Sequence, residues 1–139
     1  MTCKIQTLTN AAFNKYGTIL QFTEKMSDGW EILVTSNNPG WRIALLEFSR
    51  KSTRKLEYHP DSKESFEPVS GVCLLITAGH ETPGEYEVFL LDRPVCLDAG
   101  VWHQVISLSE KTLVKITENL NVACVYHELD HEIEVIIQR

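Results

Sequence analysis

Short runs of β-branched, aromatic and other apolar residues, each broken off by polar turn-forming residues, follow one another through most of this chain, and the pattern predicts strands. The expected strands are Trp30–Thr35, Trp41–Phe48, Arg54–His59, Glu64–Pro68, Val72–Ala78, Tyr86–Leu91, Val95–Asp98, Gln104–Leu108, Thr112–Thr117, Val122–Glu128 and Ile133–Gln138. Asn37-Asn38-Pro39-Gly40, Ser70-Gly71, Pro83-Gly84, Arg93-Pro94 and Glu118-Asn119 supply turns between them. One helical element stands out, a turn over Ala11–Tyr16 that Asn10 would cap and Gly17 would end. No long amphipathic helix is available to cover an open sheet, so the strands must cover one another. The expected fold is all-β, a rolled or closed double sheet.

Composition narrows the setting. A chain of 139 residues with 43% hydrophobic and 23% charged residues has the balance of one soluble domain, taken as residues 1–139. The amino-terminal residues lack the apolar run of a secretory signal, and no stretch approaches the roughly 20 apolar residues of a membrane span. A cytoplasmic protein without a membrane partner is expected. The formal charge of −6 argues against nucleic acid, whose phosphates demand clustered positive charge. The four cysteines, Cys3, Cys73, Cys96 and Cys124, are far apart, and three sit in apolar runs as buried thiols do; neither disulfides nor a zinc ribbon is expected.

The chemistry concentrates in two separated segments. In extended chain alternate residues share a face, so Glu57 and His59 point together, and Glu64 follows on the next strand once Asp61-Ser62-Lys63 has turned. Gly100-Val101-Trp102-His103 brings a second histidine from much later in the chain. A divalent cation held on stiff strands needs neutral imidazole nitrogens and carboxylate oxygens at about 2.0–2.2 Å. His59 and His103 with Glu57 or Glu64 would meet that need. The simpler alternative has both histidines hydrogen-bonded in the interior and both glutamates facing solvent.

These segments resemble the two motifs of the cupin superfamily. Glu57-x-His59-x4-Glu64-x6-Gly71 is similar to His-x-His-x3–4-Glu-x6-Gly, with a glutamate in the first histidine's place, and Asp98-Ala99-Gly100-Val101-Trp102-His103 followed by Ser107 resembles Pro-x-Gly-x2-His-x3-Asn. Within the superfamily, Glu57-Tyr58-His59-Pro60-Asp61-Ser62-Lys63-Glu64-Ser65-Phe66-Glu67-Pro68 looks like the Glu-Arg-His-Pro-x-x-x-Gln-Ala-Phe-x-Pro stretch of the ureidoglycolate lyases. Gly100-Val101-Trp102-His103-Gln104 resembles their Gly-Val-Trp-His-His, and Ala12-Phe13-Asn14-Lys15-Tyr16-Gly17-Thr18-Ile19 their Ala-Phe-x-x-Tyr-Gly-x-Val. The resemblance runs with gaps from about Ala12 to about Thr117. The chain departs from it where Glu64 replaces a glutamine, Gln104 a histidine, and Thr117-Glu118-Asn119 a Val-Asp-Arg segment.

The resemblance implies a cupin-type double-stranded β-helix, a jelly-roll barrel, that splits ureidoglycolate into glyoxylate and urea, with or without a divalent metal. It also implies a homodimer and a small carboxylate substrate. His59 and His103 would then be metal ligands, one of Glu57 and Glu64 the third ligand and the other the base that takes the substrate's hydroxyl proton. Phe66 and Trp102 would contact substrate, although Trp102 is as well suited to the core. Two other readings stand beside the lyase: a non-catalytic cupin-like binding module, and an iron-dependent oxygenase using His59, Glu64 and His103.

Three further features have plainer explanations. His127-Glu128-Leu129-Asp130-His131 spells H-E-x-x-H, but that motif works only on a helix, and here it falls between strand-like runs as a hairpin or surface loop. Arg50-Lys51-Ser52-Thr53-Arg54-Lys55 would steer an anion or form a solvated loop. Tyr58 alternates away from His59, toward the outer surface or a partner subunit.

Overall fold

The computed structural model describes residues 2–23 and 29–137. In chain order its elements are β1 (Ile5–Gln6), α1 (Asn10–Phe13), β2 (Gly17–Ile19), β3 (Trp41–Phe48), β4 (Ser52–Tyr58), β5 (Glu64–Ser70), β6 (Cys73–Ala78), β7 (Glu87–Leu90), β8 (Val95–Leu97), β9 (Trp102–Ser107), β10 (Thr112–Asn119) and β11 (Val125–Glu134). Two sheets form, one in the order β1-β7-β6-β9-β4-β11 and the other β2-β8-β5-β10-β3. Every pairing is antiparallel except β1 with β7. No described helix is long and apolar enough to cross a membrane.

Alternation divides the apolar residues between two clusters. Leu75 of β6, Phe66 of β5, Val105 of β9 and Val114 of β10 meet between the sheets, with Phe13, Tyr16 and Phe89 packed edge to face at one end. The other face of the six-stranded sheet carries Leu74, Ile76, Trp102 and Ile106, covered by Leu129 and Ile133 of β11. β6 is therefore buried on both faces, which is why its sequence is an unbroken apolar run.

Most of the expected strands appear, with corrections; Glu118-Asn119, expected as a turn, lies in β10 instead. The stretch Trp30–Thr35 has the composition of a strand but forms none; it helps line a cavity of about 680 Å³ with Ser65, Glu67 and Thr117. β propensity is expressed only where a free edge accepts the backbone. The helix cap is Thr9 rather than Asn10, since the Thr9 Oγ1 accepts from the Ala12 N–H at 3.2 Å while Asn10 is already helical. The carboxy-terminal hairpin is instead one strand, β11, with an irregularity between Glu128 and Ile133; Gln138 lies outside the described residues. Arg54 holds that irregularity by donating to the Leu129 and Asp130 carbonyls, so the basic run is partly a structural strut and not a free loop. Tyr58, expected at an outer surface, packs its ring on Trp102 and His80. The strands β1 and β2, of two and three residues, are too short to leave a pattern.

Two tight turns frame the site. Gly71 and Gly100 both have φ of 80°, a conformation L side chains rarely adopt, which explains why each motif carries glycine there. A Cβ on Gly71 would also lie 2.4 Å from the Lys111 carbonyl oxygen. Gly71→Ala is therefore expected to destabilise the protein by at least ~1–3 kcal/mol, read as a lower urea midpoint.

Candidate metal centre

Both motifs converge between the sheets. β4 ends at Tyr58 and the chain then crosses to the opposite sheet, so His59 and Glu64 sit on either side of that crossing. Glu57 of β4 lies directly opposite His103 of β9. The Gly100 N–H donates to the His59 carbonyl at 2.9 Å, tying one motif's turn to the other motif's histidine. His59, Glu64 and His103 are all buried.

The geometry centres on one oxygen. His59 Nε2 is 3.1 Å from Glu64 Oε1, and His103 Nε2 is 2.8 Å from the same atom. The second approach lies off the axis of a hydrogen bond, so the buried His103 Nε2 has no directed partner among the described residues. Glu57 Oε1 is a further 3.6 Å from His103 Nε2. The donor atoms of His59, Glu64 and His103 all lie within 4.8 Å of one another.

The outer ring nitrogens fix the tautomers. His59 Nδ1 is 3.0 Å from the Ala123 carbonyl and His103 Nδ1 is 3.0 Å from the Val101 carbonyl. A carbonyl only accepts, so both Nδ1 atoms carry hydrogen, and in the neutral rings both Nε2 atoms point lone pairs at a carboxylate. That arrangement is repulsive unless a cation lies among them, either a proton or a metal ion. Imidazoles oriented by carbonyls through Nδ1, with Nε2 and a carboxylate converging, fit a divalent cation. His59, His103 and Glu64 would hold it.

Without metal, protons take that place. Burial pulls the His103 pKa down, but Glu57 and Glu64 beside it outweigh burial and raise it to about 10. His59 is raised in the same way, burial opposing and Glu64 winning. Burial acts to raise Glu64, yet the two imidazoles bring it down to about 2. Glu57 is lowered chiefly by His103.

Other residues named from the sequence fall as follows. Phe66 packs edge-on against His103, with centroids 5.5 Å apart. Trp102 points to the opposite face of β9, where its Nε1 donates to the His80 carbonyl at 2.8 Å; it does not face the cluster, because neighbours on a strand alternate. His127 lies against Trp102, and His131 Nε2 is 2.8 Å from the Tyr86 hydroxyl, so the H-E-x-x-H letters sit on a strand and build no helical zinc site. His59, Glu64 and His103 line neither of two cavities of about 500 and 680 Å³, although Glu118 lines the larger.

Three residues went unnamed as site members. Glu118 Oε1 reaches within 3.9 Å of His59 Nε2, and Glu118 is paired with Arg42, whose Nε and Nη2 donate to its Oε2 at 2.9 and 2.7 Å. Exposed Cys124 forms a second group with Glu57 and His59, its donor atom within 4.8 Å of theirs. Period two was the signal for Glu118, which is in phase with buried Thr112, Val114 and Ile116. Cys124 left none, since Val122–Glu128 reads as buried strand whereas β11 begins only at Val125.

Comparison with known proteins agrees on architecture. No family model matches the chain. An uncharacterized protein of Acanthamoeba polyphaga mimivirus is 25% identical over 100 residues, covering 70% of this chain and 56% of its own length. This chain thus spans little more than half of that relative. Oxalate decarboxylase from Bacillus subtilis matches 62% of this chain and 23% of its own, with TM-score 0.50 and 19% identity. A dTDP sugar isomerase from Desulfovibrio desulfuricans covers 87% of this chain and 82% of its own, with TM-score 0.46 and 13% identity. The paired sheets define a cupin-type β-sandwich. Within it His59, Glu64 and His103 form a group able to hold a metal ion.

The signs of the pKa shifts set a pH profile. The raised His103 contributes stability that is complete below the unfolded value of about 6.5 and is lost as pH rises toward about 10. The lowered Glu64 contributes stability present above its ordinary 4.5 and lost as pH falls toward about 2. Metal-free protein should therefore unfold at its highest temperature between those two ordinary values. A divalent ion, which needs unprotonated Nε2 atoms, should add more stability as pH rises from 6 to 8; calorimetric scans with chelator and with metal check both limbs.

Proposed function

We propose that this protein is a divalent-metal-assisted enzyme acting on a small α-hydroxy acid, and that ureidoglycolate, cleaved to glyoxylate and urea, is that substrate. The observation that carries the reading is the convergence of two carbonyl-oriented imidazoles on the Glu64 carboxylate. The motif resemblance supplies the substrate.

When bound, a divalent cation supplies positive charge that makes a neighbouring α-hydroxyl more acidic. Glu57 is the group placed to take that proton. It flanks His103, its lowered pKa keeps it ionised at neutral pH, and its side chain retains 26% exposure toward solvent. As the hydroxyl proton passes to Glu57, the O–H electron pair becomes the glyoxylate carbonyl. The carbon–nitrogen bond breaks as that carbonyl forms, its electrons going to the urea nitrogen, which recovers the proton from Glu57. Phe66, against His103, keeps one side of the site apolar.

A second reading rests on the donor set itself. Two imidazoles and one carboxylate are what non-haem ferrous oxygenases use. Oxygen consumption by ferrous-loaded protein would favour it over the lyase.

Glyoxylate release from ureidoglycolate by metal-loaded protein is the direct test, and its absence would remove that substrate. Glu57→Gln should keep full metal content while activity falls by about 10²–10⁴-fold. His103→Ala should stay folded by circular dichroism but lose metal by elemental analysis, and with it all activity.

A further inference from the structure

Glu118 carries a buried oxygen with no hydrogen-bond partner among the described residues. Its Oε2 is held by two Arg42 N–H groups, while the buried Oε1 lies 3.9 Å from His59 Nε2. A carboxylate oxygen left unpaired in the interior is costly unless something is meant to meet it.

The placement follows from strand register. In the five-stranded sheet Glu118 of β10 is directly opposite Glu64 of β5 on one side and Arg42 of β3 on the other. Two carboxylates facing each other across a ladder repel. Glu57 adds a third acid on the far side of His103, against the single guanidinium of Arg42. Arg42 is already committed to Oε2, so once both imidazoles are neutral, as a bound metal requires, the negative charge around His59 and His103 is in excess. A divalent ion would balance it. Two donors about 2.1 Å from one ion lie up to about 4.2 Å apart; Oε1 meets that limit toward His59 Nε2 at 3.9 Å, while Glu118 stands outside the group whose donors all lie within 4.8 Å of one another, so joining it takes a small side-chain shift.

We propose that Glu118 is a further ligand of the metal held by His59, Glu64 and His103, and that Arg42 is the positioning residue that clamps Oε2 so that Oε1 faces the ion. This rests on the metal reading above and extends it to a fourth protein donor, brought by a strand that neither motif includes. A carboxylate fixed through one oxygen while the other binds metal is oriented as firmly as a carbonyl-held imidazole. With Glu64 and Glu118 both bound, the ligand charge favours a divalent ion such as Mn(II), Fe(II) or Zn(II) over soft Cu(I).

The test uses Co(II), added to chelator-treated full-length protein, with affinity measured by competition and coordination read from visible absorption. Glu118→Gln should weaken Co(II) binding by about 10-fold or more and change the absorption band; Arg42→Met should weaken it less. Glu118→Asp, which keeps the charge and shortens the reach, should fall between wild type and Glu118→Gln, and guards against a variant that merely folds poorly. A purely structural Arg42–Glu118 pair predicts the opposite: lower unfolding temperatures for the metal-free variants, with Co(II) affinity and spectrum unchanged. That result would overturn the proposal while leaving the three-ligand site intact. Wild-type protein that takes up no Co(II) would overturn both.

Discussion

One carboxylate oxygen shared by two buried imidazole nitrogens is the constraint around which the rest of this molecule is arranged. Glu64 Oε1 cannot sit between two neutral Nε2 lone pairs in an interior of low polarity, so the fold must either protonate the rings or supply a cation. Each part of the surroundings serves that choice. The Ala123 and Val101 carbonyls turn the rings, the β4–β5 crossing places His59 and Glu64 in opposite sheets, and the register of β4 with β9 brings Glu57 beside His103. Removing any one acid leaves a charge uncompensated, which is why the site is better viewed as a single electrostatic unit than as separate ligands.

Much of the architecture could be read from residues alone because sheet burial writes itself in period two. The long strands β3, β5, β9 and β10 stand near their expected limits, and the two-motif spacing anticipated that His59, Glu64 and His103 would meet. What failed had local causes. Trp30–Thr35 has strand composition but forms no strand, and the two apolar runs near the carboxy terminus read as a hairpin because an irregularity between them resembles a turn. Trp102 invites a place in the pocket by standing next to His103, yet adjacency on a strand means opposite faces.

Glu118 and Arg42 show a different limit. Each is unremarkable in sequence, and Thr117-Glu118-Asn119 even looks like the loss of a basic residue. Register between β3 and β10 returns a guanidinium to the same neighbourhood from a strand remote in sequence. No linear motif can encode that, since the pairing partner is decided by the sheet. The motif glycines are the reverse case: Gly71 and Gly100 are legible because a left-handed turn leaves the chain little other choice.

The division of the cluster between the two sheets has a mechanical side. Glu57, His59 and His103 belong to strands, or the end of a strand, of the six-stranded layer, whereas Glu64, Glu118 and Arg42 belong to the five-stranded one. An ion held among them would act as a rivet through the sandwich, resisting any sliding of one layer over the other. Loss of the ion would leave the imidazole–carboxylate contacts and side-chain packing to set the gap, so the spacing between the layers and the fit of the site become one adjustable quantity.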